Sequence, residues 1–140
     1  MANAADNVAK LKQAYREWHD TKGKSVQGWL DLMADNVRVR SLAAGAPGVE
    51  FTKAAHSKQE FVRYFQGLLA DWEMIHYTTD LFIAEGDEVA MRGSTAWRHR
   101  KTGRIVDTPK ADFWTFRDGK AVEFHEFYDT AGLIAALSPA

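Results

Sequence analysis

Apolar residues in the first half of the chain recur at helical spacing, and in the second half at every other position. Over residues 6–20, Val8, Leu11, Tyr15 and Trp18 fall on one helical face, and Gly23 supplies a stop. A second helix is predicted from about Ser25, with Val26, Trp29, Leu30 and Met33 at helical spacing. Residues 36–41 alternate, Val37 and Val39 against Arg38 and Arg40, as a half-buried strand does. Residues 42–55 contain Gly45, Pro47 and Gly48 and read as a loop. Ser57-Lys58-Gln59-Glu60 has the form of a capping box and opens a third helix, whose inner face is Phe61, Phe65, Leu68, Leu69 and Trp72.

The period changes to two near residue 73. Strands are predicted at 73–84, 88–100, 104–117 and 120–128, with turns at Glu85-Gly86-Asp87, Lys101-Thr102-Gly103 and Arg117-Asp118-Gly119. A short apolar helix over 131–137 closes the chain. Three helices followed by an antiparallel meander is an α+β pattern, and residues 1–140 fit a single domain. The last two strands carry apolar or aromatic residues at both parities (Phe113, Trp114, Phe116, Phe124, Phe127, Tyr128), more than one helical layer covers. That excess predicts a homodimer formed through the outer sheet face.

Composition narrows the function by exclusion. Eighteen basic residues against nineteen acidic ones leave the chain near neutrality, with no electrostatic case for a nucleic-acid partner. The basic run Arg98-His99-Arg100-Lys101 precedes a glycine-containing turn and reads as a solvated hairpin end. With no cysteine there is no disulfide, thiolate metal site or cysteine nucleophile. No signal-like or membrane-length apolar run occurs, so a cytoplasmic protein without a membrane partner is the expectation. The five histidines lack the close spacings of zinc sites, and no phosphate loop or nucleophile motif is present, so neither metal nor cofactor is expected.

The chemistry concentrates in residues 110–129. Residues two apart in a strand share a face, which groups Lys110, Asp112, Trp114 and Phe116 on one strand and Phe124, Glu126 and Tyr128 on the next. A carboxylate among aromatics is solvated, paired, or held protonated in an apolar cavity. For Asp112, one reading is a strand carboxylate paired with Lys110 or a nearby arginine; the other is a buried acid. Glu126 reads as a general base or its partner, or as a solvent-facing residue on an end strand beside Glu123. His125 reads as a proton shuttle or as a packed or interface histidine, and a strand bulge would exchange the faces of His125 and Glu126. Asp129 reads as the N-cap of the last helix. Tyr15, Trp18, Trp29, Phe65, Trp97, Trp114 and Tyr128 line either a pocket for a ring-shaped apolar ligand or an ordinary core.

The order helix, helix, strand, helix and four long strands resembles the NTF2-like superfamily and its SnoaL-like branch. The resemblance is carried by the Trp29-to-Val37 passage, the helix started by Ser57, and the closing run from Phe116 to Glu123 that ends in Tyr128-Asp129-Thr130. It implies a cystatin-like cone, with three N-terminal helices against a curved antiparallel sheet and a conical pocket between them. The superfamily includes steroid isomerases, polyketide cyclases, dehydratases and epoxide hydrolases, besides members without catalysis, so the fold alone names no activity. Ketosteroid isomerase holds an oxyanion with a helical tyrosine and a protonated aspartate. The Gln13-Ala14-Tyr15 segment and Asp112 are similar to those two, whereas Arg38-Val39-Arg40-Ser41 stands where its base would be. Limonene epoxide hydrolases use an Arg-x-Asp opposite an aspartate. Lys110-Ala111-Asp112 and Glu126 are similar in position, with Lys lacking the guanidinium fork and Glu one methylene longer. The resemblance therefore implies cofactor-free acid–base chemistry on a small hydrophobic molecule by Asp112, Tyr15, and Glu126 or His125. The alternative is a non-catalytic module that only binds such a molecule.

Overall fold

A computed structural model describes residues 3–139. Helix α1 (Ala4–Asp20) starts at Asn3, whose side chain accepts from the Asp6 backbone while the Asp6 carboxylate accepts from the Asn3 backbone, a reciprocal cap. It buries Leu11, Ala14, Tyr15 and Trp18. Helix α2 (Val26–Leu32) runs straight into strand β1 (Met33–Ser41), which begins three residues earlier than the alternation suggests. A 3-10 turn (Glu50–Thr52) interrupts the loop that follows. Helix α3 (Lys58–Asp71) is capped by Ser57, which accepts from the Glu60 backbone. The Glu60 carboxylate returns the bond to His56 rather than to Ser57, so only half of the expected box forms.

Strands β2 (Trp72–Glu85), β3 (Glu88–His99), β4 (Ile105–Arg117) and β5 (Lys120–Tyr128) make the meander, and helix α4 (Thr130–Ala135) closes the chain. The sheet order is β1-β5-β4-β3-β2. Its one parallel pairing is β1 with β5, which corrects the expectation of an all-antiparallel sheet: α3 and three strands intervene between the two, a connection long enough to return β5 in the same direction. The β4–β5 hairpin turns on Asp118 and Gly119, both at positive φ (51° and 80°), as a two-residue type I′ turn requires. Two register shifts in β2, between Met74 and His76 and between Thr79 and Leu81, bend this edge strand around the helices. Gly93 on β3 lies under the second bulge, where a Cβ would stand 2.0 Å from the Thr78 carbonyl oxygen.

The core lies between the helices and the concave face of the sheet. Trp114, Phe116 and Phe124 point into it and Tyr128 lies half-buried at its edge, so of the six residues that suggested an apolar outer face only Phe113 and Phe127 lie outside. The basic hairpin end is less solvated than expected. His99 is buried edge-on against Trp72, Arg98 pairs with Glu73, and Arg100 caps the Leu69 carbonyl. Among the described residues no helix is long and apolar enough to cross a membrane.

Candidate functional site

Straight alternation along β4 turns Lys110 and Asp112 inward, and the regular hairpin register sets Asp112 directly opposite Glu126. The Lys110 ammonium sits between the two carboxylates, 2.5 Å from Asp112 Oδ1 and 2.9 Å from Glu126 Oε2. Tyr15 and Tyr77 donate to Asp112 Oδ2 at 2.6 and 3.0 Å. Ser41 and Tyr64 each donate to Glu126 Oε1 at 2.7 Å. Tyr128 lies 2.6 Å from Ser41 and accepts the Ala43 backbone N–H, so with Ser41 donating to Glu126 the Tyr128 hydroxyl donates to Ser41. Trp114 Nε1 donates to the Tyr15 hydroxyl at 2.9 Å. Every carboxylate oxygen thus has a donor, as burial demands.

The charges do not balance. One ammonium faces two carboxylates, all three buried, so the cluster carries one excess negative charge when fully ionised. Burial raises the Asp112 pKa above the ordinary carboxylate value; Lys110 opposes this and Glu126 adds to it. Burial alone would lower the Lys110 pKa, but the charges of Asp112 and Glu126 outweigh it and hold the group well above its usual value. Lys110 is therefore a permanent ammonium, and Asp112 is the carboxylate driven toward its protonated form. Lys110 has three N–H donors and two protein acceptors, which leaves one for a ligand.

The cluster opens into a cavity of about 90 Å³. One water needs about 10–15 Å³ of such space, so this is free volume rather than a packing gap. It is also well below the roughly 300 Å³ at which ligand pockets begin, so a ring-sized ligand has to displace side chains at the rim. Phe51, Tyr64 and Tyr128 are the half-buried lining residues placed to give way. Tyr15, Trp18, Trp29, Phe65, Trp97, Lys110, Asp112, Trp114, Glu126 and Tyr128 all line it. The aromatic wall also packs on itself: Trp29 stacks on Trp114 at 5.5 Å and Trp114 on Phe124 at 4.3 Å. The same rings are core and lining at once.

Three site residues escaped the sequence. Tyr77 turns inward only because the bulge after Met74 shifts the strand's parity, which no alternation reveals. Tyr64 and Ser41 had a signal: Tyr64 lies three residues after Phe61 on α3, and Ser41 continues the inward set of Val37 and Val39. His125 is corrected. No bulge interrupts β5 there, so Glu126 takes the inner face and His125 the outer one, stacked 4.2 Å from Phe127. Burial and the nearby Arg40 lower its pKa. Asp129 caps α4 by accepting from the Gly132 backbone. Among the described residues no group of three or more His, Asp or Glu is arranged to hold a metal ion.

A SnoaL-like domain model matches residues 11–124, most of the chain. The chain belongs to the SnoaL-like family. Solved structures agree on the fold. An NTF2-like protein of unknown function from Burkholderia pseudomallei is 22% identical, with 99% of each chain covered and a TM-score of 0.84 to this SnoaL-like domain. TerC, solved after co-crystallisation with polyporic acid, is 19% identical over 94% of this chain and 98% of its own, with a TM-score of 0.80. A protein from Jannaschia, named a candidate SnoaL-like polyketide cyclase, is 17% identical over 98% and 94%, with a TM-score of 0.77. No curated protein matches in sequence.

The chain contains four tyrosines, Tyr15, Tyr64, Tyr77 and Tyr128, and all four converge on this cluster. Burial, then the neighbouring carboxylate, pushes Tyr15, Tyr64 and Tyr77 well above pH 10 and Tyr128 up to about 12. Raised folded values stabilise the fold below the ordinary tyrosine pKa, and that contribution is lost as pH rises through the folded values. An absorbance titration of the native SnoaL-like domain is expected to show no phenolate at pH 10 to 10.5. A tyrosine ionising in that range while the fold persists would contradict the network.

Proposed function

We propose that this SnoaL-like protein is a cofactor-independent acid–base enzyme of the isomerase, cyclase, dehydratase or hydrolase type, acting on a small hydrophobic ligand in the conical cavity. The observation that carries the proposal is a permanent ammonium with one uncommitted N–H, beside a carboxyl group driven toward protonation, in an apolar cavity. Lys110 would receive a ligand oxygen and stabilise negative charge developing on it. Asp112 would supply a proton or a hydrogen bond to the same oxygen, with Tyr15 as second donor. Glu126, the other carboxylate of the cavity, would act as base. His125 has no part, since it lies on the far side of the sheet.

The test is a thermal-shift screen of enones, epoxides and polyketide-like compounds on the parent and on Asp112→Asn, followed by turnover assays of the binders. Retained binding with turnover reduced about 10²–10⁴-fold is the expected result. A second reading is a binding module without chemistry, and one observation favours it: all four carboxylate oxygens already have protein donors. Ligands that bind both proteins, with no turnover by either, would decide for that reading. TerC's co-crystallised polyporic acid supports a small-molecule occupant under both.

The same proposal includes a homodimer through the outer sheet face. Phe113 and Ile105 are about half exposed there, and Phe113 packs edge-on against Phe127 at 5.5 Å with His125 alongside. A second copy related by a two-fold axis would cover this self-complementary patch. Light scattering at tens of micromolar is expected to give the dimer mass; a monomer there would end this part of the reading.

A further inference from the structure

Three indole N–H groups near the cavity differ in one respect. Trp97 donates to Thr95 Oγ1 at 2.8 Å and Trp114 to the Tyr15 hydroxyl at 2.9 Å. Trp72 is fully buried and lines the same cavity, yet its Nε1–H has no acceptor. A buried indole N–H nearly always has a partner, because leaving it unpaired forfeits its hydration for nothing. The adjacent imidazole of His99 stands edge-on to it, and its Nδ1 already accepts the Thr102 backbone N–H.

The other uncommitted donor is the third N–H of Lys110, and it belongs to a different end of the cavity. Trp72 pairs with His99 on β3 and Lys110 pairs with Gly93, six residues away. At about 3.3 Å per residue the two backbones stand roughly 20 Å apart along the sheet, a span that both long side chains can shorten. The rings of Trp18, Phe65 and Trp97 line the same cavity. The cluster at the Lys110 end already holds an excess negative charge, so an anionic ligand would add a second uncompensated one.

We propose that the ligand is a neutral, flat ring compound with an acceptor oxygen at each end, one taken by the Lys110 ammonium and the other by the Trp72 indole N–H. This rests on the reading of the cavity as a ligand site and adds the ligand's two-ended chemistry to it. A polycyclic diketone or keto-ether satisfies both donors; a ring with one carbonyl leaves Trp72 unpaired.

The matched probes are 2,6-diacetylnaphthalene and 2-acetylnaphthalene, titrated into the parent and into Trp72→Phe. The parent is expected to favour the diketone by about five- to tenfold, the worth of one hydrogen bond. Trp72→Phe is expected to abolish that preference while leaving the monoketone affinity within about twofold. A second readout needs only the parent: of its five tryptophan indole N–H resonances, that of Trp72 should move downfield with the diketone and not with the monoketone. Equal affinity of the parent for both ketones, a preference that survives Trp72→Phe, or an unmoved Trp72 resonance would each overturn the proposal. If neither ketone binds the parent, the cavity's role as a ring-ligand site falls first and this inference falls with it.

Discussion

Replacing Lys110 by methionine is expected to cost about 3–5 kcal/mol of stability at neutral pH, the usual penalty for leaving buried charge without its partner. Methionine fills nearly the same volume, so little of the loss comes from a cavity. What is lost is the one cation that bonds both Asp112 and Glu126. The pH dependence identifies the cause. The Asp112 pKa is raised by burial even with Lys110 opposing the shift, so removing Lys110 raises it further. A carboxyl with a raised folded pKa contributes stability that is present below its unfolded value and lost as pH rises through the folded one. The variant should therefore regain stability as pH falls from neutrality toward the ordinary carboxylate range, whereas the parent should gain less. Urea denaturation at pH 7 and pH 5 measures both. A loss below about 1 kcal/mol, well under the penalty for an unpaired buried charge, or one that does not change between the two pH values, would show that Lys110 does not neutralise this cluster.

The features legible in the sequence share one property: they depend on residues close together in the chain. Alternation through Lys110, Asp112 and Trp114 fixed their common face, and the Asp118-Gly119 turn fixed the register that sets Glu126 opposite Asp112. Helical spacing likewise placed Tyr15 and Trp18 on the buried side of α1. What stayed hidden depends on irregularities or on distant pairing. The β2 bulge that turns Tyr77 inward changes parity without altering composition. The parallel pairing of β1 with β5 brings Ser41 to Glu126 across 85 positions of sequence, and nothing local announces it. Lys110 was legible as a neighbour of Asp112 but not as the centre of the cluster, because its second bond crosses to another strand. Apolar content on both parities of β4 and β5 overstated the outer face, since aromatic residues concentrate where the cone closes over its cavity.

A triple variant, Lys110→Met with Asp112→Asn and Glu126→Gln, is expected to recover most of what Lys110→Met alone loses, ending within about 1–2 kcal/mol of the parent. A buried ion cluster balances a large desolvation cost against its internal attraction, and neutral replacements of similar shape are often neutral or stabilising overall. The amide oxygens introduced at positions 112 and 126 would still accept from the hydroxyls of Tyr15 and Tyr77 and of Ser41 and Tyr64, so the surrounding donors keep partners. The Lys110→Met and triple results then separate charge from packing. Recovery would mean that the fold does not need the ions, and that their retention serves what the cavity does to its ligand. A triple variant as unstable as Lys110→Met would instead assign the cluster to the scaffold, and the case for a catalytic ammonium–carboxyl pair would lose its physical basis. Loss of any turnover in a stable triple variant that still binds ligand is the combination expected here.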